Sequence, residues 1–463
     1  MKDTEQSTPE IEMKALQYVN VGYQRILTFE CASGGFNWWE GDNPGNPILS
    51  ALAVQMLSDT KQVYPAVDEK VIERAVQYLE KIQQGDGSWG AESHLHAGNE
   101  NLGQGGLRST CYISWSLNVG GFGKSKVATR ALEYIRKNLK GNKDTYTLAM
   151  CANALASAGD DSPVLDEALE TLSKAAIRDR ETVHWEQQGE TLVNSGGIAG
   201  QVEVTALAAL AFMAARYESG VVPMVVNWLA ATKDPNGNWG YNTQASVLAL
   251  KTFLAAATLE PGETDANVTV SLNGKKLATR HFDNFNRDVL WQVEVGPEKL
   301  SAANRVELVL EGKGNLGYQV VATLSVPWKE GEKEQAQPLV IDVGYDRTRL
   351  KSNETVGVTV KLRKNAQDAN GMILATLGVP PGFDVVTEDL EKLKAAKVIR
   401  TYELTGRQLL LYLDDLPVGK TSVLTYRLSA RYPVKAATGD SEVRLYYRSD
   451  LKARQAPQQI EVQ

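Results

Sequence analysis

The sequence contains few cysteines and few histidines, and this scarcity limits the chemistry it can perform. Among 463 residues there are three cysteines and four histidines. Cys31, Cys111 and Cys151 stand alone, without Cys-x-x-Cys spacing. We therefore predict no disulfide framework, and we expect all three to pack as small buried hydrophobic residues. No set of residues has clear metal-ligand spacing, so neither a metal site nor a cofactor is predicted.

Long apolar runs and basic blocks are also missing. No run of eighteen or more apolar residues occurs, which predicts that no segment spans a membrane. The first residues, MKDTEQSTPEIEMKALQY, have neither an apolar core nor a cleavage site of small residues, so we do not expect a signal peptide. Lys and Arg are scattered through a chain of net charge −7. This distribution argues against nucleic acid as a partner.

Residues 10–258 have the hydrophobic pattern of helices. In SPVLDEALETLSKAAIR (162–178) the apolar residues recur at three- and four-residue steps, which places them on one helical face. EVTALAALAFMAARY and TQASVLALKTFLAAA are apolar around most of the circumference, so these helices are predicted to be buried on nearly all sides. Half-exposed helices therefore alternate with buried ones.

A repeat of about fifty residues runs through this helical half. Four polar turns, GGFNWWEGDN, GDGSWGAE, VHWEQQGE and DPNGNWGYN, carry Trp38, Trp89, Trp185 and Trp239, and each precedes a helix rich in Ala and Leu. The spacing between the second and third of these turns is about twice the other spacings, and the turn LKGNKDTYT lies between them. Two helices per repeat, alternately buried and half-exposed, favour an α/α toroid of helical hairpins over an open solenoid. Trp89 and Trp239 are predicted to anchor turns rather than to bind a ligand.

The hydrophobic period changes to two after the helical half. NVTVSLNGKKLATRHF has Asn273-Gly274 between two alternating runs, which predicts a hairpin. Further strands are predicted in VLWQVEV, RVELVLEG and YQVVATLSV. Beyond the charged segment WKEGEKEQAQP (328–338), the pattern predicts an antiparallel β-sandwich with a helical insertion at 387–399. The predicted protein is multidomain, α then β, with limits at 1–258, 259–333 and 334–463.

These segments, in this order, resemble a known family. STPEIEMKALQYVNVGYQRILTFE (7–30), the four turns, GGLRSTCYISWSL and VHWEQQG resemble the thioester domain of the α2-macroglobulin and complement family, and above all its bacterial members. Residues 259–328 are similar to part of the CUB-type β domain that follows the thioester domain, and 339–463 to the C-terminal macroglobulin or receptor-binding domain. The resemblance implies a non-enzymatic scaffold, and an extracytoplasmic (periplasmic or secreted) parent that traps proteases or attaches to target surfaces.

The family's reactive group is an internal thioester between the Cys and Gln of a Cys-x-Glu-Gln motif, which in relatives precedes the segment matching 7–30. None of the three cysteines here lies in such a motif, so we expect this chain to form no thioester. In complement-type members a histidine in the loop after the DGSWG turn attacks the thioester. The resemblance gives this role to His96, with His94 as the second choice; a solvent-facing loop without chemistry is the alternative for both.

Two further expectations follow from the resemblance. Animal relatives carry receptor-binding lysines on the helix of the last domain, which makes Lys392, Lys394 and Lys397 candidate binding residues; a solvated helix face is the alternative. Only the later segment of the CUB-type domain matches, so its strands would lack partners. We therefore expect self-association through 264–328.

An enzyme is the competing interpretation of the helical half. Turns of the DGSWG type also occur in the α/α toroids of terpene cyclases and prenyltransferases. The cyclases need an Asp-x-Asp-Asp motif, which this sequence lacks. The prenyltransferases need Asp, Cys and His on one zinc ion, for which Cys111 and Cys151 are the candidate thiols.

Overall fold

Ten helices form the N-terminal half in the computed structural model, which describes residues 9–463 apart from 40–43, 91–104, 190, 194, 235–236, 241, 260–262, 287–290, 315–316, 319, 323–325, 330–332, 335–337, 366–370 and 447. The helices are α1 (Pro9–Leu27), α2 (Pro47–Val63), α3 (Glu69–Ile82), α4 (Gly105–Leu117), α5 (Lys126–Asn138), α6 (Thr145–Ser157), α7 (Pro163–Ala175), α8 (Gly197–Ala214), α9 (Val222–Thr232) and α10 (Thr243–Leu259). Two short strands, β1 (Ile177–Arg178) and β2 (Val183–His184), lie between α7 and α8.

The helices form two layers, as the alternation of buried and half-exposed patterns predicts. α2, α4, α6, α8 and α10 pack side by side in chain order, and α3, α5, α7 and α9 pack outside them. Outer helix α3 buries one face only, whereas inner helix α6 is buried at every residue from Thr145 to Leu155. The predicted α/α toroid is confirmed. Among the described helices, α8 alone is long and apolar enough to cross a membrane, and 72% of it is buried inside the toroid.

The tryptophans of the repeated turns tie each outer helix to the next inner helix. Each indole N–H donates to a leucine carbonyl of the preceding outer helix: Trp89 to Leu79 (2.9 Å), Trp185 to Leu172 (2.7 Å) and Trp239 to Leu229 (2.7 Å). Each tryptophan's backbone N–H donates to a hydroxyl of the following inner helix: Thr110 (3.1 Å), Thr205 (2.9 Å) and Ser246 (3.3 Å). In the first turn Phe36, not Trp38, takes this position and donates to Ser50 Oγ at 2.8 Å. The anchoring role predicted for Trp89 and Trp239 is confirmed.

A disulfide bond joins two neighbouring inner helices. Cys111 on α4 and Cys151 on α6 are bonded, with their Cα atoms 4.7 Å apart. The prediction of separate hydrophobic cysteines is therefore wrong for this pair. The two residues are 40 apart in sequence, and the toroid brings them together because consecutive inner helices face each other. Cys31 is buried, as predicted, and its thiol donates to the carbonyl oxygen of Phe29 at 3.8 Å.

A small antiparallel sheet follows the toroid. Its strands are β3 (Asp265–Leu272), β4 (Lys275–Asp283) and β5 (Val306–Lys313), in the order β4-β3-β5. The predicted hairpin is confirmed: Asn273 and Gly274 form the two-residue turn, both with positive φ. The strand predicted in VLWQVEV is wrong for its described residues 291–295, and the described part of 318–326 contains no strand. Alternation alone does not make a strand, because a strand also needs a backbone partner.

The C-terminal part is the predicted antiparallel β-sandwich. Its strands are β6 (Lys333–Glu334), β7 (Leu339–Tyr345), β8 (Arg349–Leu350), β9 (Thr355–Lys364), β10 (Ile373–Gly378), β11 (Phe383–Val385), β12 (Thr401–Thr405), β13 (Gln408–Leu413), β14 (Thr421–Ala430), β15 (Val434–Ala437), β16 (Ser441–Leu445), β17 (Arg448–Gln455) and β18 (Gln459–Val462). The main sheets have the orders β12-β13-β10-β16-β17-β6 and β11-β14-β9-β7, with β15-β18-β8 at one side. Their buried faces form one apolar core. The domain limits at 1–258, 259–333 and 334–463 stay a prediction.

The helical insertion of the sandwich is shorter than predicted. It forms α11 (Thr387–Ala395), which buries Leu390 and contacts β14. The helix ends because Lys397 adopts a left-handed backbone conformation with φ 56°, and the N–H of Val398 then donates to the carbonyl of Leu393. The chain leaves this cap directly into β12.

Candidate functional site

The two predicted reactive histidines lie outside the described residues. His94 and His96 belong to the segment 91–104, so their role stays a prediction. Both flanks of this segment are held firmly. Trp89 is fixed on one side by its hydrogen bonds to α3 and α4, and α4 begins at Gly105 on the other.

Buried polar residues occupy the end of the toroid next to this segment. Arg108, in the first turn of α4, is only 6% exposed. Its Nη2 donates to Asp144 Oδ2 at 2.8 Å, and its Nε donates to Thr147 Oγ1 at 2.8 Å. Asp144 also caps α6 by accepting the backbone N–H of Thr147 at 2.9 Å. A buried ion pair is maintained only when its remaining hydrogen-bonding groups are also satisfied, and this helix cap helps to meet that condition.

A buried carboxyl group lies at the centre of this end. Glu203, on α8, is fully buried, and the Tyr146 hydroxyl donates to its Oε2 at a long 3.4 Å. Burial raises the pKa of Glu203 to about 7, although the hydroxyls of Ser195, Thr191 and Tyr146 favour the ionised form. Burial also raises the pKa of Tyr146 well above its ordinary value. Glu203 can therefore exchange a proton near neutral pH.

Hydrogen bonds and one ring contact link the first turns of four inner helices. The Arg108 guanidinium lies 5.3 Å from the centre of the Tyr146 ring. Asn242, just before α10, donates to Ser195 Oγ at 2.8 Å and accepts from the N–H of Ala245 at 3.0 Å. These contacts position α4, α6, α8 and α10 at the end where the segment 91–104 begins and ends. In the described part of the chain no cluster of three His, Cys, Asp or Glu is suited to a metal ion.

An open seam interrupts the inner layer between α10 and α2. Val247, Leu250 and Leu254 on α10 are 39%, 53% and 65% exposed. They share one helical face with Lys251, whose Nζ lies 2.7 Å from Asp59 Oδ2 on α2. That face therefore points towards α2. Because apolar residues on an inner helix of a toroid are otherwise buried, these exposed side chains mark a seam between α10 and α2, which the Lys251–Asp59 ion pair spans.

Helix α1 is also largely uncovered. Met13, Tyr18 and Val21 are 69%, 68% and 61% exposed. Its C-terminal half is held chiefly by Tyr23, which is buried and accepts the backbone N–H of Asp68 at 2.9 Å. Two helices at the opening of the toroid thus expose apolar side chains.

The three candidate lysines do not form one surface. Lys392 lies 3.8 Å from Asp389 on the same helix and is exposed. Lys394 and Lys397 instead line a cleft between the sandwich and the toroid. Their binding role stays a prediction.

Sequence reasoning did not identify the buried polar residues. Glu203 opens the otherwise apolar stretch EVTALAALAFMAARY, and a single carboxylate in a helix predicted to be buried was the available signal. Arg108 and Asp144 offered no such signal, because their pairing depends on two helices that are distant in sequence. Charged residues are rarely buried without a partner. A buried polar site could therefore have been predicted from the sequence at Glu203.

Comparisons with known proteins agree with this architecture. The family model described as the A-macroglobulin TED domain matches residues 1–255, and the A-macroglobulin receptor binding domain matches 368–457. The α2-macroglobulin-like protein 1 of Mus musculus is 23% identical over 440 residues, which cover 91% of this chain and 29% of the mouse protein. The chain thus spans under a third of that relative's length.

Two solved bacterial structures are similar in fold. The crystal structure of native Escherichia coli α2-macroglobulin from domain MG7 to the C-terminus has a TM-score of 0.65 and 15% identity, covering 96% of this chain and 67% of that one. Salmonella α2-macroglobulin reacted with methylamine has a TM-score of 0.68 and 17% identity, covering 98% and 28% respectively. The fold and the order of the domains are those of a scaffold built on a thioester domain. The chain belongs to the α-macroglobulin family.

The competing enzyme interpretation is not favoured. A zinc site of the prenyltransferase type requires a cysteine thiolate. Cys111 and Cys151 are bonded to each other, so neither thiol that this interpretation needs is present. Residues 368–457 of the β-rich C-terminal part instead match the A-macroglobulin receptor binding domain.

Proposed function

We propose that this chain is the C-terminal scaffold of an α2-macroglobulin-like protein whose parent traps proteases or attaches to target surfaces through a thioester. The order of toroid, small sheet and receptor-binding-type sandwich carries the proposal. The chain itself is a non-catalytic binding and structural module. Its cysteines support this, because two form a disulfide, the third is buried, and none stands in a Cys-x-Glu-Gln motif.

The open seam between α10 and α2 is where the thioester-bearing segment of the parent would pack. The exposed apolar residues Val247, Leu250 and Leu254 supply the kind of surface that an amphipathic helix buries. His96, or else His94, would act at the adjoining end of the toroid as the imidazole that attacks the thioester. The buried polar contacts of Arg108 and Glu203 would keep that end rigid.

The parent acts outside the cytoplasm in this proposal. The Cys111–Cys151 disulfide supports that location, since disulfides persist in oxidising compartments.

We also propose that the chain self-associates through 264–328. The outer edges of β4 and β5 are open in the described sheet, and Phe285 is 88% exposed. Sedimentation as a single monomeric species, with this region protected from hydrogen exchange, would exclude the self-association.

Thiol titration in denaturant, before and after methylamine, tests the proposal. Methylamine opens a thioester and releases one thiol. We expect one reactive thiol per chain, that of Cys31, and no increase after methylamine. A thiol that appears only after methylamine would show that the chain carries a thioester. Bound zinc together with turnover of prenyl diphosphates would instead support the enzyme alternative.

A further inference from the structure

A cleft of about 780 Å³ separates the toroid from the sandwich. Arg25, Phe29 and Trp39 line it on the toroid side, at the end of α1 and in the first turn. On the sandwich side it is lined by the segment that runs from the end of α11 into β12, including Lys394 and Lys397. Its volume is within the range of about 300–1,000 Å³ that is typical of ligand sites, which often lie between domains.

Aromatic contacts hold the two sides of the cleft together. The Trp39 ring meets the Tyr412 ring of β13 edge-on, with centroids 5.9 Å apart. The guanidinium of Arg400 lies 5.8 Å from the centre of the Trp39 ring, and that of Arg25 lies 5.1 Å from the centre of the Phe29 ring. The Trp39 ring and the Phe29 ring thus each have one cation over them. An occupant of the cleft would meet these cations rather than bare aromatic faces.

The cleft exposes the edge of a β-sheet. β12 is the end strand of the six-stranded sheet and pairs with β13. Thr401, Tyr402 and Glu403 of β12 line the cleft. An end strand presents backbone N–H and C=O groups on its outer side, and an extended peptide can add to them as a further strand. The Tyr402 side chain is held by its hydrogen bond to Glu391 at 2.8 Å.

The cleft is lined by more cations than anions, although the whole chain is negatively charged. Four of its lining residues are cationic and two, Glu403 and Asp414, are anionic, whereas the whole chain has a net charge of −7. Arg25, Lys394 and Lys397 are three of these cations, and an anionic occupant beside the open strand would meet them.

We propose that this cleft binds an acidic, extended peptide segment of a partner protein. The segment adds to β12 as an antiparallel or parallel strand, and its carboxylates contact Lys394, Lys397 and Arg25. Residues two apart in a strand share a face, so an alternating acidic pattern suits the site. This site requires no thioester and is separate from the open seam, so it does not depend on the function proposed above.

Fluorescence anisotropy with a labelled ten-residue peptide of alternating Glu and Thr, titrated with the full chain, tests the charge requirement. We expect saturable, salt-sensitive binding, and none by the matched Lys and Thr peptide. The double variant Lys394→Glu, Lys397→Glu should bind at least about tenfold more weakly, because two attractive contacts become repulsive. The matched double control Lys420→Glu, Lys435→Glu, at exposed positions of the sandwich outside the cleft, should stay within about twofold of wild type. Equal losses in the two variants would overturn the proposal.

Backbone methylation tests strand addition separately. One acidic peptide is methylated at the backbone nitrogen of every Glu and a second at every Thr, which leaves the side-chain charges unchanged. A peptide on a sheet edge donates only alternate N–H groups, so one methylated peptide should lose binding and the other should keep it. Equal affinity of the two methylated peptides, whether kept or lost, would refute strand addition.

Discussion

Reduction of the Cys111–Cys151 bond should destabilise the toroid substantially. The bond closes a loop of 40 residues between two inner helices. Cross-linking a loop of this length removes conformational entropy from the unfolded chain that corresponds to about 4 kcal/mol at 25 °C. We therefore expect the reduced protein to unfold at a clearly lower denaturant concentration than the oxidised protein, with folded contacts otherwise unchanged.

Tryptophan fluorescence during guanidinium unfolding, with and without reductant, measures this difference. Seven of the nine tryptophans lie in the toroid, so the signal reports mainly on that half. The double variant Cys111→Ala, Cys151→Ala is the control, since its transition should not respond to reductant. An unchanged wild-type transition in reductant, or alkylation of both cysteines in the unreduced unfolded chain, would refute the assignment of the disulfide.

Three further changes test the buried contacts of the toroid. Burial raises the pKa of Glu203 from the ordinary 4.5 to about 7, so ionisation of this carboxyl group opposes folding. The free energy of unfolding of the wild type should therefore fall by about 3 kcal/mol as the pH rises from about 4.5 to about 7. Chemical denaturation at several pH values measures this fall, and the variant Glu203→Gln should abolish it. Asp144→Ala leaves Arg108 buried without its carboxylate and should cost about 3–5 kcal/mol, seen as a lower unfolding midpoint; a loss below about 1 kcal/mol would contradict the buried pair. Trp89→Phe removes the indole hydrogen bond to Leu79 and should cost about 1–3 kcal/mol, whereas Trp291→Phe, outside the toroid, should leave the toroid transition unmoved.

The architecture was predictable from local patterns, because each element carries its own signal. Helical periodicity gave the inner and outer layers, and Asn273-Gly274 gave the hairpin that the structure contains. The strand predicted at 289–295 is wrong for its described residues 291–295, because pairing depends on a second segment of chain, which local alternation does not reveal. The first turn shows the same limit: Trp38 has the expected residue type, but Phe36 occupies the anchoring position.

The candidate site was less predictable than the fold. The Cys111–Cys151 bond and the Arg108–Asp144 pair each join residues from neighbouring repeats, and their proximity arises only when the toroid forms. Lys394 and Lys397 were assigned to a helix surface from their position in sequence. Whether that surface faces solvent or the toroid is decided by how two domains pack, and no local pattern encodes this.

Hydrogen exchange along the ten helices tests whether the toroid is an open scaffold with a seam between α10 and α2. We expect slow exchange in α4 and α6, which are buried and joined by the disulfide, and much faster exchange in α1 and α10, whose apolar residues line the opening. Protection of α1 and α10 equal to that of α6 would show that the ring is already closed and that the seam is not open.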